Sequence, residues 1–141
     1  MEIRELTSDA EIVTAFPVMS ELRDRIRAET FLNEVRRQQQ EGYRLIAAFE
    51  EGKIVALAGF RRSHTLVRGE HYFVDDLITS NAAQGRGHAT ALLRWIALLS
   101  KKERLEKIYL DSRLTAKTYY EKVGFTFGSA LPCWIEVEKL S

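Results

Sequence analysis

The stretch from His71 to Ser112 constrains the chain most. "HYFVDDLIT" (71–79) is rich in aromatic and β-branched residues and reads as a strand. Apolar residues then recur at helical intervals, at Ala89, Leu92, Leu93, Ile96 and Leu99. The run closes on Lys101, Lys102 and Arg104, whose charges suit the negative end of a helix dipole. "KIYLDS" (107–112) is a further strand. Two neighbouring strands joined through one helix run parallel, and such crossovers are right-handed because only that hand packs the helix back onto a twisted sheet. Upstream, "YRLIAAFE" and "KIVALAGFRR" meet through Glu51 and Gly52, a link short enough to make an antiparallel hairpin. The sheet is therefore predicted to be mixed.

The remaining elements attach to this frame. In "MEIRELT" Met1 and Ile3 alternate with Glu2 and Arg4, which predicts a short half-buried strand, with Leu6 out of phase. Ser8 and Glu11 have the spacing of a capping box and mark a helix start. Ile12, Phe16, Met19, Leu22 and Ile26 continue that helix, which Pro17 should kink or divide. "TFLNEVRRQQQ" predicts a second helical stretch up to Gly42, and "TAKTYYEKVG" another ending at Gly124. "CWIEVEKL" alternates as a last strand, with room for a short strand near Phe125. The expectation is an α/β fold of one domain, residues 1–141, with about four helices around a central mixed, mostly antiparallel sheet.

Charge and cysteine usage exclude several partner classes. Lys and Arg number 21 against 20 Asp and Glu, so no excess charge points to nucleic acid or an anionic membrane. The single cysteine, Cys133, forms no internal disulfide and, in an apolar strand pattern, is expected to be buried. No 18-residue apolar run offers a membrane span, and the first residues lack the pattern of a signal peptide, so a cytoplasmic protein is expected.

"AAQGRGHATALL" (82–93) places two glycines at the start of the apolar helix. A helix N-terminus carries unpartnered N–H groups and partial positive charge, and glycines let an anion approach the backbone closely. The same glycines would also serve a plain tight turn. A Rossmann fingerprint needs Gly or Ala where this chain has Thr90, and a Walker loop needs G-K-[ST], which "GRGHAT" lacks.

Gln84-x-x-Gly87-x-Ala89, preceded by a strand and opening a helix, resembles the pyrophosphate loop of the GNAT superfamily of N-acetyltransferases. "LDSRLTAKTYYEKVGFT" (110–126) is similar to the second signature of that family, with Ala116, Tyr120, Glu121, Lys122, Gly124 and Phe125 in matching places. The resemblance implies the GNAT fold, with its parallel strand pair splayed at the cofactor site. It also implies transfer of an acetyl group from acetyl-CoA to a primary amine of a small molecule, or to a lysine or N-terminal amine, by direct attack in a ternary complex. Cofactor contacts are implied for Leu77, Ile78 and Thr79 on the strand and for Gln84, Gly85, Arg86, Gly87, His88, Ala89 and Thr90 in the loop. For His88 packing competes with phosphate contact. A homodimer is compatible with the family.

The chemistry sets its own requirements. An amine of pKa about 10.4 is neutral in only about one molecule in 2,500 at pH 7, so a base or a water relay is needed. The oxyanion on the thioester needs a donor, in this family a backbone N–H of the strand that here ends "DDLIT". The leaving thiolate needs a proton, and Tyr120 is the candidate acid. Asp75 and Asp76 resemble the acidic pair ahead of the loop in spermidine/spermine acetyltransferases. That likeness implies Asp75 as general base and Asp76 as a holder of a cationic substrate. As strand neighbours they should face opposite sides of the sheet. Two other parts stay open for them: ion pairing with Arg61, Arg62 or Arg68, and substrate binding alone. Tyr119 and Trp134 are core residues by default and acceptor-pocket residues in the alternative. His64, His71 and Asp75 lack the close pairing of a zinc site, so no metal is expected. The competing function is a non-catalytic acetyl-CoA-binding regulator.

Overall fold

The computed structural model describes all residues, Met1–Ser141. The chain forms two compact units, Met1–Leu110 and Asp111–Ser141. The first unit holds β1 (Glu2–Glu5), α1 (Asp9–Thr14), α2 (Phe16–Leu22), α3 (Ala28–Gln39), β2 (Tyr43–Glu50), β3 (Lys53–Thr65), β4 (Gly69–Thr79), α4 (His88–Lys102) and β5 (Ile108–Leu110). Its sheet runs in the order β1-β2-β3-β4-β5, antiparallel as far as β4, and β5 lies parallel to β4. The predicted hairpin turns through Glu51 and Gly52, both at positive φ, as a two-residue loop between right-twisted strands requires. No helix is long and apolar enough to cross a membrane.

Local signals account for the helix boundaries. The Glu11 N–H donates to Ser8 Oγ at 3.2 Å and the Ser8 N–H to Glu11 Oε1 at 3.4 Å, which completes the capping box of α1. Pro17 divides the helical run as expected: α1 stops at Thr14, and α2 restarts at Phe16 with proline in its first turn, where no N–H is needed.

β2 and β3 are buried on both faces. On β2, Tyr43, Leu45, Ala47 and Phe49 join Leu6, Ile12, Ala15, Val18, Met19, Phe31 and Val35 in one cluster beneath α1–α3. The alternate residues Ile46 and Ala48 are also fully buried and face the opposite side. That side is covered by α4, with Leu92, Leu93 and Ile96 buried and Trp95 packed edge-on against Phe60 of β3 at 6.3 Å. At the far end of the sheet, His71 Nδ1 lies 2.8 Å from Gly69 O, and His64 Nδ1 is 3.4 Å from Glu70.

The second unit contains α5 (Lys117–Val123), preceded by a single 3-10 turn and ended by Gly124 at φ 119°. The expected last strand at Cys133–Leu140 and the short strand near Phe125 are not formed: the segment is irregular and closes in a 3-10 turn, Val137–Leu140. Alternation marks residues that share a face, but a strand exists only where a ladder partner is present, and this segment closes no ladder. Cys133 is accordingly exposed rather than buried, and Trp134 is exposed rather than part of a core.

Gly59 lies at the centre of the sheet, opposite Leu45 on β2 and Asp76 on β4. A Cβ there would stand 1.8 Å from the Tyr43 hydroxyl, because the ring of Tyr43 lies across β3 at this point. The ring is buried and hydrogen-bonded, so it has no room to yield. Gly59→Ala is expected to cost about 1–3 kcal/mol through overpacking. The cost should largely vanish in a Tyr43→Ala background, as read by a double-mutant cycle of urea unfolding.

Candidate active site

The pairing of β4 changes partway along its length. Tyr72, Phe73 and Val74 pair with Ile108, Tyr109 and Leu110 of β5, and there β5 ends. From Asp76 to Thr79, β4 keeps only β3 as a neighbour, pairing with Gly59 back to Ala56. Its other edge is left without a strand, so the backbone groups of Leu77, Ile78 and Thr79 on that edge have no ladder partner. The register against β3 shifts at the same place: Gly59 faces Asp76 and Phe60 faces Val74, so Asp75 is the extra residue of a β-bulge.

That bulge corrects the expectation that Asp75 and Asp76 point to opposite faces. A bulge re-aims a side chain, and here both carboxylates act on one phenol. The Tyr43 hydroxyl donates to Asp76 Oδ2 at 2.8 Å, and the charges of Asp76 and Asp75 both disfavour its ionisation. Burial is the larger cause, and together these hold the Tyr43 pKa well above that of a free phenol. Arg61 donates through Nε to Asp75 Oδ2 at 2.8 Å, as one of the open sequence readings had it, and through Nη2 to Gln38 at 2.8 Å. Arg23, at the end of α2, donates through Nε to Asp76 Oδ1 at 2.9 Å and through Nη2 to the Asp75 carbonyl at 2.7 Å. Asp76 therefore has both oxygens engaged, whereas Asp75 uses one.

Arg23, Tyr43 and Gly59 were not singled out by the sequence. Arg23 lies 53 residues from Asp76, beyond any local pattern. Gly59 offered a signal, since an isolated glycine within a strand marks a bulge or a close backbone approach.

β4 leads directly into the glycine loop. The Asn81 N–H donates to Glu21 Oε1 at 2.8 Å, which ties the start of the connection to α2. Gly85 and Gly87 have φ of 83° and 81°, and a Cβ on either would meet nothing within 4 Å. Gly87 is the N-cap of α4, and no side chain caps the helix. Ala91 N–H closes the first turn on Gly87 O at 3.0 Å, and the amides of His88 and Ala89 have no intrahelical acceptor by geometry. Gln84 is exposed and donates to Asn81 Oδ1 at 3.2 Å. Arg86 donates to Glu50 Oε2 at 2.9 Å, while Ala89 and Thr90 are half-buried. His88 is buried: Nδ1 lies 3.0 Å from Met1 Sδ, and Nε2 lies 3.0 Å from Glu50 Oε1 without hydrogen-bond alignment.

In the second unit Tyr120 is buried on α5, edge-on to Tyr119 at 5.1 Å and to Phe125 at 5.3 Å. Burial, and secondarily Tyr119, raises its pKa against the opposing charge of Arg113, so its hydroxyl is protonated at neutral pH.

Residues 3–125 match the model of the acetyltransferase (GNAT) family. The chain is 33% identical over 136 residues to the uncharacterized N-acetyltransferase YhdJ of Bacillus subtilis (strain 168), covering 93% of this chain and 96% of the relative. An acetyltransferase of Trypanosoma brucei has a similar fold, with TM-score 0.81, 19% identity, and coverage of 96% of this chain and 99% of that one. So does the aminoglycoside N-acetyltransferase AAC(6')-Iy, solved in complex with CoA, with TM-score 0.83, 13% identity, and coverage of 96% and 94%.

The Tyr43–Asp76 contact has a stability signature. A phenol whose pKa is raised on folding adds no cost while it is protonated in both states, below about pH 10. Above that pH the unfolded chain ionises first, and stability falls. Tyr43→Phe should therefore cost about 1–3 kcal/mol at pH 7, where the carboxylate loses a donor, yet flatten the alkaline fall. Chemical denaturation at intervals from pH 7 to 11 checks both limbs.

Proposed function

The chain belongs to the acetyltransferase (GNAT) family, and on that premise we propose that it transfers an acetyl group from acetyl-CoA to a primary amine in a ternary complex. The observation that carries this reading is the sequence of two open backbone surfaces along one stretch of chain: the free edge of β4 after Val74, then the uncapped N-terminus of α4 at Gly87. An extended chain with a diphosphate suits both, the first by strand-like hydrogen bonding and the second by orphan amides and the helix dipole. Leu77, Ile78 and Thr79 would hold the extended arm. The loop from Gln84 to Thr90 would hold the diphosphate, with Arg86 able to exchange Glu50 for phosphate and His88 packing beneath. When bound, acetyl-CoA supplies an activated acyl group.

The chain's own residues then have separable parts. Asp75 is the proposed base, directly or through water, because one of its oxygens is not taken by Arg61. Asp76 acts on the acceptor side by fixing Arg23 and Tyr43. A β4 amide donates to the carbonyl oxygen as negative charge develops there. Tyr120 is the proposed proton donor to the thiolate, and its raised pKa keeps it loaded with a proton at neutral pH.

Calorimetric titration with acetyl-CoA followed by thiol release against a panel of amines tests the reading. Binding with turnover is expected; binding without thiol release from any amine would leave a regulator, and no binding would end the proposal. Asp75→Asn and Tyr120→Phe should each lower kcat by about 10²–10⁴-fold with acetyl-CoA affinity little changed. Gly87→Asn separates the loop's role from a plain turn. Asparagine tolerates positive φ better than other side chains and sets a polar side chain over the leading amides, so melting temperature should fall little while acetyl-CoA affinity drops by about tenfold or more.

A further inference from the structure

The surroundings of Asp75 and Asp76 also bear on which amine is accepted, an inference that rests on the acetyl-transfer reading above. An acidic pair by itself suggests a cationic acceptor. In this fold each carboxylate is already matched. Arg61 engages Asp75, with Glu41 at 3.8 Å on its other side, and Arg23 engages Asp76 through both Nε and Nη2, so each aspartate has its own cation. Asp76 is further occupied by Tyr43, and its side chain is only 14% exposed. An arriving ammonium therefore meets no net attraction from this pair.

What the cluster does present outward is a guanidinium. Arg23 donates through Nε to Asp76 Oδ1 and through Nη2 to the Asp75 carbonyl, whereas Nη1 makes no hydrogen bond or ion pair within the protein. The Arg23 side chain is 44% exposed. It begins the segment "RDRIR", in which Arg25 and Arg27 are exposed. The end of α2 is also tied at two points along the open stretch of chain: Arg23 to the bulge, and Glu21 to Ser80 and Asn81. The Arg23 guanidinium thus sits at the bulge of β4, held by bonds that restrict it before any ligand arrives.

We propose that the acceptor carries, besides its amine, an oxyanion in the form of a carboxylate or a phosphate, which Arg23 receives through Nη1. A guanidinium fixed by two protein acceptors donates a charge-assisted hydrogen bond to an oxyanion at little further entropic cost. Acceptors lacking the acid leave Nη1 unmatched, which is how a polar site discriminates. The site selects zwitterionic amines over polycations.

Matched acceptors test this: an α-amino acid against its carboxamide, an amino-sugar phosphate against the free amino sugar, and spermidine as the polycation. The acid-bearing member of one pair should be favoured by about tenfold or more in kcat/KM, and the pair that shows it identifies the carboxylate or the phosphate. Arg23→Gln should remove that preference, chiefly through KM of the acid-bearing amine. The acid-free partner should lose less, so that the ratio of the two kcat/KM values falls toward one, acetyl-CoA affinity should hold, and spermidine should gain on both as Asp76 loses its cation. Arg23→Lys, which keeps the charge without the fork, should fall between. Equal rates within both pairs, or an equal loss for both members in Arg23→Gln, would overturn the inference while leaving acetyl transfer intact. Absence of thiol release from every amine would remove acetyl transfer and this inference together.

Discussion

The change of partners along β4 is the constraint on which the rest depends. A strand inside a sheet must satisfy donors and acceptors on both edges, and β4 does so only as far as Val74, where β5 stops. The bulge against β3 falls on the next residue. Its position is consistent with the local physics, since a bulge adds twist and bends a strand away from its former neighbour. The carbonyl of the extra residue, Asp75, is met by Arg23 rather than by a strand. One stretch of β4 thus loses its strand partner on one edge, turns two carboxylates together, and recruits Arg23 from the end of α2 to meet the freed carbonyl.

Turning two carboxylates together has a cost of its own. Like charges side by side repel, and the fold answers with Arg61, Arg23 and the Tyr43 hydroxyl, each on a different element. Tyr43 reaches Asp76 only by crossing β3, and β3 carries glycine at the crossing. The polar cluster and the packing of the sheet are therefore one problem. Removing the phenol touches the charge balance, and adding a methyl group at Gly59 touches the phenol.

The frame of the molecule was legible because its signals are local. Ser8 and Glu11 are three residues apart, Pro17 acts on its own helix, and Glu51 and Gly52 form the turn they predict. The glycine loop was legible for the same reason, since Gly87 alone makes the left-handed cap of α4. Convergence of the acidic pair was not legible, because a bulge is a mismatch between two strands: Gly59 marks an irregularity in β3 but does not say which residue of β4 is the extra one. Arg23 was hidden by sequence distance. The segment from Cys133 failed in the opposite way: its alternation is plain, but alternation carries no information about whether an edge exists to receive it.

The two sides of the proposed site also differ in what they ask of the sequence. On the proposed coenzyme side the working groups would be backbone amides along β4 and at the start of α4, with glycine required where φ is positive. A surface of that kind tolerates wide substitution. The acceptor side is built from Arg23, Tyr43, Arg61 and the two aspartates, each held by another of the group. No member can change without leaving a buried or half-buried partner unmatched. If the proposed reading holds, coenzyme use follows from the path of the main chain, whereas the choice of amine is written in a handful of interlocked side chains and has to be read from them.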